Sequence, residues 1–172
     1  MDISFVFKNC IKLKGKKTSF IIDPQAGMPE ISAEAVLLTG SAFDISRVPG
    51  SRLVINGVGE YEVGGSKISA VANTHDIIYR LSMDNLTVIL GRTVDFSKLE
   101  GKFTACDIAI INVDDQFSES FVASLGPKIV VLYGERTGTG AKKLGLNNIT
   151  SVVKLSIVKD KLPEEMQVVA LG

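Results

Sequence analysis

The chain has 172 residues, enough for one domain with a substantial core. It is 45% hydrophobic and carries no formal net charge, with a pI near 6.6. That balance lacks the cationic footprint of a nucleic-acid binder, and no apolar run reaches membrane-spanning length, so neither nucleic acid nor a membrane is expected as a partner. The opening MDISFVFKNC has no basic segment leading into a long apolar one, so no secretory signal is expected. Cys10 and Cys106 lie far apart and outside any Cys-x-x-Cys pair. They predict two small buried thiols, no disulfide framework and a cytoplasmic location.

Residues Ile3 to Leu13 alternate apolar and polar, with Ile3, Phe5 and Phe7 on one face. Gly15 marks a turn, and the chain resumes as a strand from Thr18 to Ile22, closed by Asp23-Pro24. Ala35 to Thr39 is a short apolar run, as in a strand buried on both faces. Gly40 to Ile45 reads as a loop, and Asp44 to Val48 as a helical turn ended by Pro49-Gly50. Arg52 to Asn56 is another short strand. Gly64-Gly65 and Asp84-Asn85 each sit between two strand-like runs and predict tight hairpins. The first half is therefore a series of strands with almost no helix.

The second half changes character. Asp107 to Val113 and Lys128 to Leu132 are β-branched runs, separated by a helix that Ser118 would cap and Gly126-Pro127 would end. This βαβ pattern predicts a parallel pair. Glu135 to Gly140 reads as a surface loop, with an anion at a following helix N-terminus as the sharper alternative, before a basic helix from Ala141 to Leu146. Two strands, Val152 to Val158 and Met166 to Leu171, finish the chain. No linker breaks it, so residues 1–172 are expected to form one domain.

Several pieces, in order, are IKLKGKKTSFIIDP, AVLLTG, GVGEYEVGGSKISAVANTHD, LTVILG, CDIAIINV and LGPKIVVL. Their wording and succession resemble the metallo-β-lactamase superfamily, nearest to its branch of small hydrolases similar to ascorbate-6-phosphate lactonase. The resemblance implies an α/β fold, a four-layer αββα sandwich, here with shortened helices. It also implies a metal-dependent hydrolase using zinc or manganese, held by a His-x-His-x-Asp-His loop after the AVLLT strand and by ligands at three later strand ends. In such enzymes imidazoles and carboxylates hold the ion and leave a position for a metal-bound hydroxide.

The ligand residues do not carry over. Gly40, Ala42 and Ile45 stand where the loop's three histidines would be, and Asp44 alone keeps a ligand type. His75 can occupy the place of the next histidine. Arg92 follows Gly91 where a bridging aspartate is expected, and Gly134 replaces the last histidine. Only Asp44 and His75 remain, fewer than the three protein ligands of a catalytic zinc site. The resemblance thus implies a family pocket lined by Gly40, Ala42, Asp44, Ile45, His75, Arg92 and Gly134, with no metal cofactor.

His75, the sole histidine, has two readings: a leftover ligand or general base beside Asp76, or a side chain held by a hydrogen bond at a strand end. Arg92 and Asp44 also have two: a guanidinium–carboxylate pair replacing the cation, or a solvent-facing arginine and a helix-capping aspartate. Two functions follow. One is a non-catalytic pseudoenzyme serving as a binding or assembly module, through homo-oligomers or a catalytic relative, with an unidentified small-molecule ligand. The other is a hydrolase with an atypical or metal-independent site at His75, Asp44 and Arg92.

Overall fold

The computed structural model describes residues 1–40, 43–73, 76–92, 103, 105–114 and 117–172. Its first strands are β1 (Asp2–Phe7), β2 (Cys10–Lys14), β3 (Ser19–Ile22), β4 (Ala35–Leu37) and β5 (Leu53–Ile55). A meander follows, of β6 (Gly59–Val63), β7 (Ser66–Asn73), β8 (Asp76–Met83) and β9 (Leu86–Arg92). Then come β10 (Ile108–Asn112), α1 (Glu119–Leu125), β11 (Ile129–Tyr133) and α2 (Thr137–Lys143). The last elements are β12 (Ser151–Val152), β13 (Lys154–Ser156) and β14 (Gln167–Leu171). They form two mixed sheets, a six-stranded one in the order β13-β1-β2-β3-β4-β5 and an eight-stranded one in the order β12-β14-β11-β10-β9-β8-β7-β6.

The hairpins follow from local chemistry. Gly64-Gly65 and Asp84-Asn85 both have positive φ at the two central turn positions, the backbone that matches the twist of antiparallel neighbours. The apolar runs β4, β10 and β11 are buried at every position and pair in parallel, as strands covered on both faces must. Helix α1 is the crossover between parallel β10 and β11, and Gly126 closes it in the left-handed conformation (φ 53°).

Three apolar layers hold the sandwich. Between the sheets, Ile11, Phe20, Ile22 and Leu37 pack against Tyr79, Leu81, Leu90 and Val131. Each such fully buried side chain contributes roughly 1.5–3 kcal/mol. On the outer face of the second sheet, Ile89, Ile111 and Leu132 meet Val122 and Leu125 of α1 and Ala141 of α2. On the outer face of the first sheet, Cys10, Ile21 and Val36 meet Met28, Ala33 and Val48. Both cysteines are free and buried, and burial pushes each thiol up to about 12. Among the described residues, two helices cover one side. Among the described residues, loops and a 3-10 turn (Ile45–Arg47) cover the other, so the expected shortening of the helices goes furthest there. Among the described residues no helix is long and apolar enough to cross a membrane.

Four expectations are corrected. The alternation from Ile3 to Leu13 is two strands, turned at Lys8, which takes φ 44° without a glycine to announce it. A register shift between Phe5 and Phe7 sends Phe5 into the inter-sheet core and Phe7 to the outer layer. The Gly/Thr stretch is no loop: α2 starts at Thr137, whose hydroxyl bonds to the Gly134 carbonyl (2.7 Å), and it ends at Lys143. The single strand expected from Val152 to Val158 changes sheet at Val153, with β12 pairing β14 and β13 pairing β1.

This topology gathers one end. Strands β3 and β4 run parallel, β9, β10 and β11 run parallel, and β8 runs against β9. Two bonds between the sheets, from the Tyr79 hydroxyl to the Leu38 carbonyl (2.6 Å) and from the Ile77 amide to the Thr39 carbonyl (2.7 Å), hold that end together.

Candidate functional site

Asp23 is the base of this end. It follows β3 with a left-handed backbone (φ 53°), a conformation aspartate tolerates better than most residues. Its side chain is 1% exposed, and its two oxygens accept from the Thr39 amide (2.8 Å) and the Thr39 hydroxyl (2.6 Å). Burial pushes its carboxyl up to about 6, opposed by the two Thr39 bonds and by the Arg92 guanidinium, while the Asp76 carboxylate raises it further.

Arg92 and Asp76 meet beside Gly40. A Cβ on Gly40 would lie 2.8 Å from Asp76 Oδ1, 3.6 Å from Arg92 Nη1 and 3.9 Å from Phe43 Cζ. The space a side chain at position 40 would need is therefore taken by a carboxylate, with a guanidinium next to it. Arg92 ends β9 and is half-buried, as is Asp76 at the start of β8.

Gly134 is filled in the same manner. It leaves β11 with φ 98°, and a Cβ there would lie 2.6 Å from Asn112 Oδ1 and 2.8 Å from Asn9 Oδ1. Any larger residue meets both an unfavourable backbone and two amide side chains. Tyr133, next in line, is fully buried, and burial together with Asp23 and Cys10 raises its hydroxyl well above the ordinary range, with Arg92 opposing. Asn112 approaches that hydroxyl without forming a hydrogen bond of regular geometry. Arg92 therefore acts electrostatically on groups at both the Gly40 and the Gly134 side of this end.

Ala42 and His75 lie outside the described residues. Asp44 Oδ1 accepts from the Ser46 amide (3.1 Å) and hydroxyl (2.6 Å), capping the 3-10 turn, and no described ion pair joins Asp44 to Arg92. Of the two readings of Asp44, the structure has the capping one. Arg92 has the carboxylates of Asp23 and Asp76 in its surroundings instead. Ile45 is 49% exposed and faces solvent. Sequence reasoning passed over Asp23, Thr39, Asp76, Asn9 and Asn112 as site residues. Signals existed in the Asp-Pro at a strand end, the acid beside His75, and the one polar residue in the buried run of β10.

The described donors at this end do not by themselves make a divalent-cation site. Among the described residues, no three His, Cys, Asp or Glu side chains come together as a metal group. Gly40 and Gly134 offer no side-chain donor, the room beside them is occupied, and the permanent cation of Arg92 lies near the carboxylates of Asp76 and Asp23. What the arrangement can do is neutralise buried negative charge and tie the ends of β3, β4 and β9 into one network.

At the level of sequence, no family model and no curated protein matches the chain. Solved structures do. A protein of Thermotoga maritima, described as a Zn-dependent hydrolase of the metallo-β-lactamase superfamily, superposes with a TM-score of 0.79 at 19% identity, over 99% of this chain and 98% of its own. A protein of Parabacteroides distasonis, described as a metal-dependent hydrolase, gives 0.61 at 17% identity, over 99% and 93%. The metallo-β-lactamase fold protein YhfI of Bacillus subtilis gives 0.58 at 10% identity, over 99% and 96%. Two mixed sheets face to face, short outer helices and these superpositions agree: the chain has the metallo-β-lactamase fold.

Proposed function

We propose that this protein is a non-catalytic representative of its fold, acting as a binding or assembly module through homo-oligomers or with a catalytic relative. One observation carries the reading. Beside Gly40 and Gly134, where the resemblance expects histidine ligands, the space is filled by Asp76 and by Asn112 and Asn9. Arg92 supplies positive charge where the resemblance expects a metal's aspartate ligand. A guanidinium and hydrogen-bonded carboxylates make a stable network without generating a nucleophile.

The test is turnover. The purified chain, supplemented in turn with zinc, manganese and iron, is assayed against lactone and phosphodiester substrates. The reading expects no turnover above the buffer rate, and light scattering expects a defined oligomer or a complex with a catalytic relative. Turnover that depends on added metal defeats it. Metal-independent turnover lost in His75→Ala and Arg92→Gln selects the runner-up, a hydrolase working through His75, Asp44 and Arg92, which the half-buried Arg92 guanidinium favours.

A further inference from the structure

The chain's neutral net charge conceals a local concentration of positive charge at the opposite end of the first sheet. Strand β2 alternates: Ile11 and Leu13 enter the inter-sheet core, while Lys12 and Lys14 stand on the outer face. Arg52, just before β5, joins them across a cleft of about 400 Å3. Because β3 runs from Ser19 in this cleft to Asp23 at the other end, the cleft is separate from the Arg92 network.

The cleft is built, as its polar groups hold one another in place. The Lys12 ammonium donates to the Ser32 carbonyl (2.8 Å). Glu34, the single carboxylate in the lining, accepts through one oxygen from the Ser19 amide (2.6 Å) and hydroxyl (2.7 Å). The Arg52 amide bonds to the Glu34 carbonyl (2.9 Å), fixing position 52 beside it. None of the described ion pairs engages Lys14 or Arg52, and both residues are exposed. Three cations thus face a cleft with one carboxylate, half of which is already occupied. Ala33 and Pro49 add apolar surface for a carbon skeleton.

We propose that this cleft binds a small organic polyanion, a molecule carrying two or more phosphate or carboxylate groups. Its volume lies in the range of small-molecule pockets, and its cations can each meet a separate anionic group. A nucleic acid would need the positive charge to continue along the surface, whereas this lining gathers its three cations around one cleft of small-molecule size. The site goes beyond the binding role proposed above by naming a place and a ligand class, and it stands whether or not the Arg92 end is catalytic.

The experiment is an amide NMR titration of the full chain with pyrophosphate and, separately, citrate, at about 0.15 M salt so that diffuse attraction is screened. Saturable shifts at Lys12, Lys14, Ser19, Glu34 and Arg52 with either probe support the site, and the probe that saturates tells phosphate from carboxylate preference. Lys14→Gln and Arg52→Gln, both surface changes that preserve the fold, should each weaken binding at least about fivefold. Arg92→Gln at the far end should leave it unchanged. Absence of saturation at millimolar probe, shifts spread evenly over other surface lysines, or equal affinity in the Lys14 and Arg52 variants would overturn the proposal.

Discussion

At the scale of single residues, Asp23 is a carboxylate held where its charge is disfavoured. Its carboxyl sits at about 6 against an ordinary 3.8, so the folded protein binds a proton more tightly than the unfolded chain does. The stability this contributes is present below pH 4 and is lost as pH rises through 6. Over that window the effect is on the order of 2–3 kcal/mol, from roughly 1.4 kcal/mol per pKa unit. Urea unfolding from pH 4 to pH 7 should show a falling component in the wild type that is missing in Asp23→Asn; parallel curves would remove Asp23 as its source. In Arg92→Gln the Asp23 carboxyl, followed by NMR, should titrate at still higher pH, because a favourable neighbouring charge is gone. The glycines make steric predictions. Gly40→Ala places a methyl 2.8 Å from Asp76 Oδ1 and should destabilise by about 1–3 kcal/mol, with part recovered in the double variant carrying Asp76→Ala. If the single variant is neutral in denaturant unfolding, the space beside Gly40 is open after all.

At the scale of elements, the apolar runs and paired turn residues made most of the fold legible. Gly64-Gly65, Asp84-Asn85 and Gly126 each end or turn an element where their chemistry says they should. The misses have physical causes. Lys8 adopts a turn backbone that no residue type advertises, and the shift between Phe5 and Phe7 breaks an alternation that looks continuous on paper. Helix α2 begins among glycines and threonines of poor helix propensity, and tertiary packing supplies what propensity does not. Gly140 lets it approach closely, since a Cβ there would already be 3.0 Å from Val113. Val153 carries one chain segment from sheet to sheet, a role that depends on both sheets existing. Tyr79 ties the sheets where the candidate site lies: its hydroxyl reaches the Leu38 (2.6 Å) and Ile55 (2.9 Å) carbonyls inside the core. Tyr79→Phe should cost about 1–3 kcal/mol in denaturant unfolding, the penalty for taking the hydroxyl donor from the Leu38 carbonyl between the sheets. A cost near zero would mean that other groups join the sheets.

At the scale of the whole molecule, the metallo-β-lactamase fold carries the half-buried Arg92 at the strand end where the resemblance expects a metal ligand. The sequence made visible that Gly40, Ile45 and Gly134, where the resemblance expects histidines, can ligate nothing through a side chain. It did not make visible which side chains stand beside those glycines. Asp76, Asn112 and Asn9 come from strand ends and turns distant in sequence, and only the folded sandwich brings them to those glycines. The central claim is that this end is filled and charge-balanced without a divalent ion. Its most direct measurement is metal content by mass spectrometry after incubation with zinc, manganese and iron and removal of loosely held ions. The account predicts metal far below stoichiometric, unchanged in Asp76→Asn. Stoichiometric metal that is lost in Asp76→Asn would contradict it.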